Sequence, residues 1–182
     1  MDTRIRKIAL EEHFSTPGLP NYAKAFTRHI DPEILRDLAA RLSDFDDRRI
    51  QEMDQAGIAY CILSQTGPSV QGEQDARQAM AYAQASNDFL AQQIARHPTR
   101  FGGFATLAMH TPQQAVGELT RAVKQLGFKG ALVNGHTFGA YYDDPSYDPF
   151  WEALQDLGVP LYLHPADAVA TPRALEGHPE LA

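Results

Sequence analysis

The sequence predicts an α/β fold built on a parallel sheet, and three observations carry that reading. Five short apolar runs alternate with longer segments of helical periodicity. The runs suit burial on both faces, as strands covered by crossover helices require. The last three runs begin about 30 residues apart, the length of one compact strand and helix unit.

The first strand is KIALEEH, residues 7–13. Residues 14–45 read as a mobile excursion interrupted by Pro17, Pro20 and Pro32, with a short helix near 32–42. A helix over 46–56 places Ile50 and Met53 on one apolar face, and Gly57 supplies its stop. The second strand is AYCILS, 59–64. A long helix runs from about Gln74 to Arg96, with Met80, Ala83, Phe89, Leu90 and Ile94 as its buried stripe and Pro98 marking its end. The third strand is FGGFATL, 101–107. Thr111 and Pro112 open the next helix as cap and first residue, and it closes before Gly127. KGALVNG, 129–135, is the fourth strand. A helix over about 147–157 carries Phe150, Trp151, Leu154 and Leu157 and stops at Gly158, and VPLYLHP, 159–165, is the fifth strand. Ala9, Leu132 and Tyr162 are expected on one common face of the sheet.

With 43% hydrophobic and 21% charged residues, the 182-residue chain can build a sizeable core, and the absence of repeats or linkers gives a single domain, 1–182. A net charge of −7 argues against a nucleic-acid or anionic-membrane surface, while one locally positive pocket could still take a small anion. No charged start precedes a long apolar run, and no stretch approaches the length of a membrane span. The one cysteine, Cys61, lies in an apolar run and reads as a buried thiol in a reducing, cytoplasmic compartment. Five strands are too few to close an eight-stranded barrel, which takes about 250 residues. The chain is either a small doubly wound sheet or the front part of something larger.

Chemistry concentrates at strand ends. Glu11 and His13 are two apart, so they share a face of the first strand, while Glu12 points away. His164 ends the fifth strand, and ligands of parallel α/β folds bind at that end. Two imidazoles and a carboxylate from different strands make a first shell for zinc or manganese. Each taken alone also fits a wet strand edge or a loop hydrogen bond.

A resemblance is carried by ALEEHF near the start, MDQAGI at 53–58, ILSQTGPSVQ at 62–71, HPTRFGGFATL at 97–107, LGFKGALVNG at 126–135, the segment YYDDPSYDPFWEALQDLGVPLYLHP at 141–165, and GHP at 177–179. In this order they resemble the 2,3-dihydroxybenzoate and γ-resorcylate decarboxylase branch of the amidohydrolase-related superfamily. The resemblance implies a metal-dependent TIM barrel, here truncated after its fifth strand. It implies non-oxidative decarboxylation of a hydroxylated aromatic acid with one divalent metal and no organic cofactor.

By that resemblance Glu11, His13 and His164 are metal ligands. The family's histidine after strand six and aspartate ending strand eight have no counterpart, so no catalytic residue is assigned and 1–182 alone is expected to be inactive. Asn134, Phe26 and Gly67 are candidates for contact with a small aromatic carboxylate, or equally a turn residue, a locally packed aromatic and a simple turn. The full-length parent is expected to be a homo-oligomer. The alternatives are a related hydrolase of an amide or lactone, or a non-catalytic fragment.

Overall fold

The computed structural model describes residues 5–166, except for the side chains at positions 25 and 26. Its strands are β1 (Lys7–Phe14), β2 (Ile58–Gln65), β3 (Phe101–Thr106), β4 (Gly130–Asn134) and β5 (Leu161–His164). The helices are α1 (Lys24–Thr27), α2 (Pro32–Ser43), α3 (Asp47–Ala56), α4 (Ala76–Arg96), α5 (Pro112–Lys124) and α6 (Asp148–Leu157). Among the described residues no helix is long and apolar enough to cross a membrane.

The strands are all parallel, in the order β1-β2-β3-β4-β5. A doubly wound sheet reverses its strand order at a switch point, and none is present here. Sequential addition is how a barrel is built, and the five strands form a half-barrel. The helices cover one face. Phe14, Leu63, Phe101 and Val133 from the strands pack there with Met53, Leu90, Leu119 and Phe150 from the helices. On the opposite, inner face Ile62, Phe104 and Leu132 form a smaller cluster flanked by Tyr60 and Tyr162.

Local chemistry sets the boundaries. Gly57 and Gly158 end α3 and α6 in the left-handed region, at φ 68° and 64°, which costs glycine no Cβ clash and turns the chain straight towards the next strand. Asp31 caps α2 by accepting from the amide of Glu33, and Asp75 caps α4 by accepting from Arg77 and Gln78. Thr111 precedes Pro112 as expected but makes no side-chain cap bond. Cys61 is buried, and burial pushes its thiol up to about 11, an unreactive state at neutral pH.

Two expectations need correction. The buried stripe of α4 includes polar residues: Ser86, Asn87 and Gln93 lie inside with Ala79, Ala83 and Leu90, whereas Met80, Phe89 and Ile94 are only half-buried. Asn87 earns its place by hydrogen bonding. It accepts from Thr106 N at 2.8 Å and donates to Glu118 Oε1 at 2.7 Å, joining α4 to β3 and α5. Ala9 packs with the helix-side core, not the inner face. The cause is a bulge in β1: Ala9 pairs with Cys61 and Glu12 with Leu63, so three residues span what two span on the neighbour. The excursion over 14–45 holds α1 and α2 and is tied down by Ser15 N to Leu42 O at 3.0 Å and Thr16 Oγ1 to Gln65 Oε1 at 2.7 Å.

Candidate metal centre

The bulge decides what the opening strand presents. Glu12 faces the helices, as expected of an outward neighbour, while Glu11 and His13 face the inner side. Arg49 on α3 donates to the His13 carbonyl at 2.8 Å and to the Asp44 carbonyl at 2.7 Å, fixing the strand where it leaves the sheet. From β5, His164 meets the same space: the His13 and His164 rings approach edge-on with centroids 5.7 Å apart. One ligand atom from each of Glu11, His13 and His164 lies within 4.8 Å of the others. Among the described residues this is the group of histidine, cysteine and acidic side chains that could hold a metal ion.

Each of the three side chains has one atom held and one presented. His164 donates its Nδ1–H to the Pro165 carbonyl at 2.8 Å, since a carbonyl can only accept. In the neutral ring, Nε2 is then a bare lone pair, 3.5 Å from Glu11 Oε1. His13 Nδ1 lies 3.1 Å from Ser64 Oγ, and a proton placed there leaves its own Nε2 as the lone pair. Tyr162 donates its hydroxyl to Glu11 Oε2. The hydrogen bond to Glu11 raises the Tyr162 phenol above its ordinary range, which keeps it a donor. Burial, reinforced by His164, holds the His13 imidazole below its usual range against the opposing influence of Glu11 and Glu12. A neutral His13 and an acceptor-only carboxylate converging on one point is an arrangement a divalent cation fits.

The other candidates lie around the rim. Asn134 is the register partner of His164 and is buried. Its Nδ2 donates to Pro68 O at 3.0 Å and to Gln71 Oε1 at 3.2 Å, and its amide N donates to Gln71 Oε1 at 2.8 Å. Gln71 returns its own amide to Tyr142 Oη at 2.7 Å and Thr137 Oγ1 at 3.0 Å. Asn134 therefore clamps the loop after β2 to the end of β4. Gly67 sits against that clamp, because a Cβ there would fall 3.0 Å from Asn134 Oδ1. Gly67 also lines a cleft of about 520 Å³ with Thr16, Tyr22, Leu38 and Gln65. Phe26 falls in α1, and its side chain lies outside the described residues.

Two further histidines take structural partners. His97 caps α4 and bonds Asp46 at 2.7 Å, and His110 donates to the Glu73 carbonyl at 2.7 Å. His178 and the GHP segment lie outside the described residues. Ser64, Arg49 and Gln71 have no part in the sequence reading, and Tyr162 enters it only as a residue of one sheet face. The signal for Tyr162 was its position two residues before His164, on the same strand face.

A family description, Amidohydrolase, matches residues 29–181. The γ-resorcylate decarboxylase of Polaromonas sp. is 47% identical over 180 residues, covering 94% of this chain and 54% of that protein. The γ-resorcylate decarboxylase of Rhodococcus jostii is 42% identical over 185 residues, covering 96% of this chain and 55% of that one. A crystal structure of a dihydroxybenzoic acid decarboxylase from Polaromonas sp., with bound manganese and the inhibitor 2-nitroresorcinol, superposes with a TM-score of 0.85 at 44% identity, covering 97% of this chain and 54% of that one. The chain thus spans about half the length of the curated relatives it matches. It belongs to the amidohydrolase family, and its half-barrel is part of that family's TIM barrel.

Proposed function

We propose that this chain carries the metal-holding half of a decarboxylase acting on hydroxylated aromatic acids, with Glu11, His13 and His164 as ligands of one divalent ion. The observation that carries the reading is the convergence of those three side chains within 4.8 Å from opposite ends of the sheet. Similarity to the γ-resorcylate decarboxylases supports the substrate class, and manganese in a related crystal favours that metal over zinc.

Bound there, a divalent ion supplies a chelation point for carboxylate and ortho hydroxyl and stabilisation for developing phenolate charge. The chain's own residues do the holding. Glu11 and the two imidazoles set the position of the charge, and Ser64, Pro165 and Tyr162 keep their second atoms occupied. The clamp of Asn134 and Gln71 shapes the rim beside His164, with Gly67 giving a close backbone approach. The ring carbon must be protonated as carbon dioxide leaves, and the proton donor is expected outside the described residues. Positioned proton transfer commonly contributes a factor of about 10² to 10⁴, so these residues without that donor should turn over little. We further infer a cytoplasmic protein that works as a homo-oligomer when full length.

The test measures metal content and carbon dioxide release from 2,3- and 2,6-dihydroxybenzoate in the full-length parent. His13→Ala and His164→Ala should each abolish stoichiometric manganese and decarboxylation together. Full metal content in both variants would remove the ligand assignment. Hydrolysis across a lactone panel with no decarboxylation would favour the hydrolase reading.

A further inference from the structure

We propose that Tyr162 and Ser64 are positioning residues of the metal centre: each occupies one atom of a ligand side chain, so that only the other is offered to the ion. The inference rests on the ligand roles proposed above for Glu11, His13 and His164, and adds two residues that the ligand pattern does not contain.

The geometry separates holders from ligands. A carboxylate free to rotate can present either oxygen or both, and the Glu11 side chain is 48% exposed, so packing alone does not fix its rotamer. Tyr162 supplies the missing constraint from across the half-barrel by donating to Oε2, while Oε1 stays 3.5 Å from His164 Nε2. Tyr162 is itself steadied by its ring, tilted against Phe104 with centroids 6.2 Å apart on the inner face. Its phenol therefore reaches Glu11 from a packed base.

Ser64 does the same for His13 from the adjacent strand. It is the register partner of His13, is 1% exposed and places Oγ 3.1 Å from Nδ1. With Oγ accepting the Nδ1–H, the ring is held in the tautomer whose Nε2 can bind a metal. For His164 the equivalent role falls to the Pro165 carbonyl, which no side-chain substitution can remove. Two of the three ligands are thus oriented by side-chain hydroxyls. Outer partners of this kind commonly change metal affinity by about 10- to 100-fold when removed.

The experiment titrates manganese chloride calorimetrically into the metal-free full-length parent and into Tyr162→Phe, Ser64→Ala, Ser64→Thr and Glu11→Gln. Tyr162→Phe keeps the ring on Phe104 and removes only the hydroxyl. We expect manganese affinity to fall about 10- to 100-fold in Tyr162→Phe and Ser64→Ala, with the unfolding midpoint of metal-free Tyr162→Phe unchanged. Ser64→Thr, which retains Oγ, should recover most of the loss. Parental affinity in both Tyr162→Phe and Ser64→Ala, with Glu11→Gln failing to bind, would overturn the positioning roles and leave the ligand reading intact. Parental affinity in Glu11→Gln, or no uptake by the parent, would overturn both. Equal losses in Ser64→Ala and Ser64→Thr would reduce Ser64 to a packing residue.

Discussion

The two faces of the sheet use the same five strands and come out differently. On the helix side Phe14, Leu63, Phe101 and Val133 are fully buried. On the inner side burial is confined to the middle of the sheet, at Ile62, Phe104 and Leu132, while Ile8 on the outer strand β1 is 64% exposed. The inner face also holds the convergent polar groups, Glu11, His13, Tyr162 and His164. The difference shows a division of labour: one face buys stability through local strand and helix units, and the other places chemistry where few apolar contacts constrain it.

Removing a large side chain from the finished face should break the fold most severely. Phe101→Ala opens space under α4 and against Phe45, whose ring centroid is 6.4 Å away, and should cost about 3–5 kcal/mol. The shift in denaturant midpoint of the full-length parent measures it. A cost under about 1 kcal/mol would mean that the outer core repacks freely and that the two faces are less distinct than their burial suggests.

The clamp at the rim should come next. Gln71→Leu keeps the volume but leaves the Asn134 amide without its acceptor, a loss of about 1–3 kcal/mol for a buried unpaired group. Hydrogen exchange at the Asn134 amide should accelerate in the same variant. Unchanged exchange there would show that the loop after β2 is held by something else.

Ile8→Lys sharpens the comparison directly. If the inner face of β1 is as open in the working protein as it is here, where Ile8 is 64% exposed, the change should stay within about 0.5 kcal/mol. A loss of about 1.5–3 kcal/mol in the full-length parent would show that further sequence covers this face.

The smallest effect belongs to the exposed charges outside the helices. Asp46 is held below the usual carboxylate range by its hydrogen bond to His97 and by Arg96. A lowered folded value means the carboxylate adds stability above the unfolded value of about 3.9, and this is lost as pH falls through the folded value. Asp46→Asn should therefore lower the unfolding midpoint slightly at neutral pH and low salt, and converge with the parent in strong acid. A gap that widened towards acid pH would reverse the sign of this argument.

Much of the fold was legible in the sequence because its determinants are local. Five strands and the helices between them follow from periodicity, and Gly57 and Gly158 mark helix ends through backbone conformations that reach only a few residues. The spacing of Glu11 and His13, and the place of His164 at a strand end, were equally local facts. What only the tertiary structure decided is where register and long-range pairing enter. The bulge that sends Ala9 to the helix side arises from the match of β1 to β2, and one residue of slip exchanges faces. Asn87 reads as a poor core residue until Thr106 and Glu118 are beside it. Ser64 meets His13 across 51 residues of chain, and Tyr162 meets Glu11 across 151. No short pattern encodes such pairs, because the partners are brought together by the curvature and order of the whole sheet.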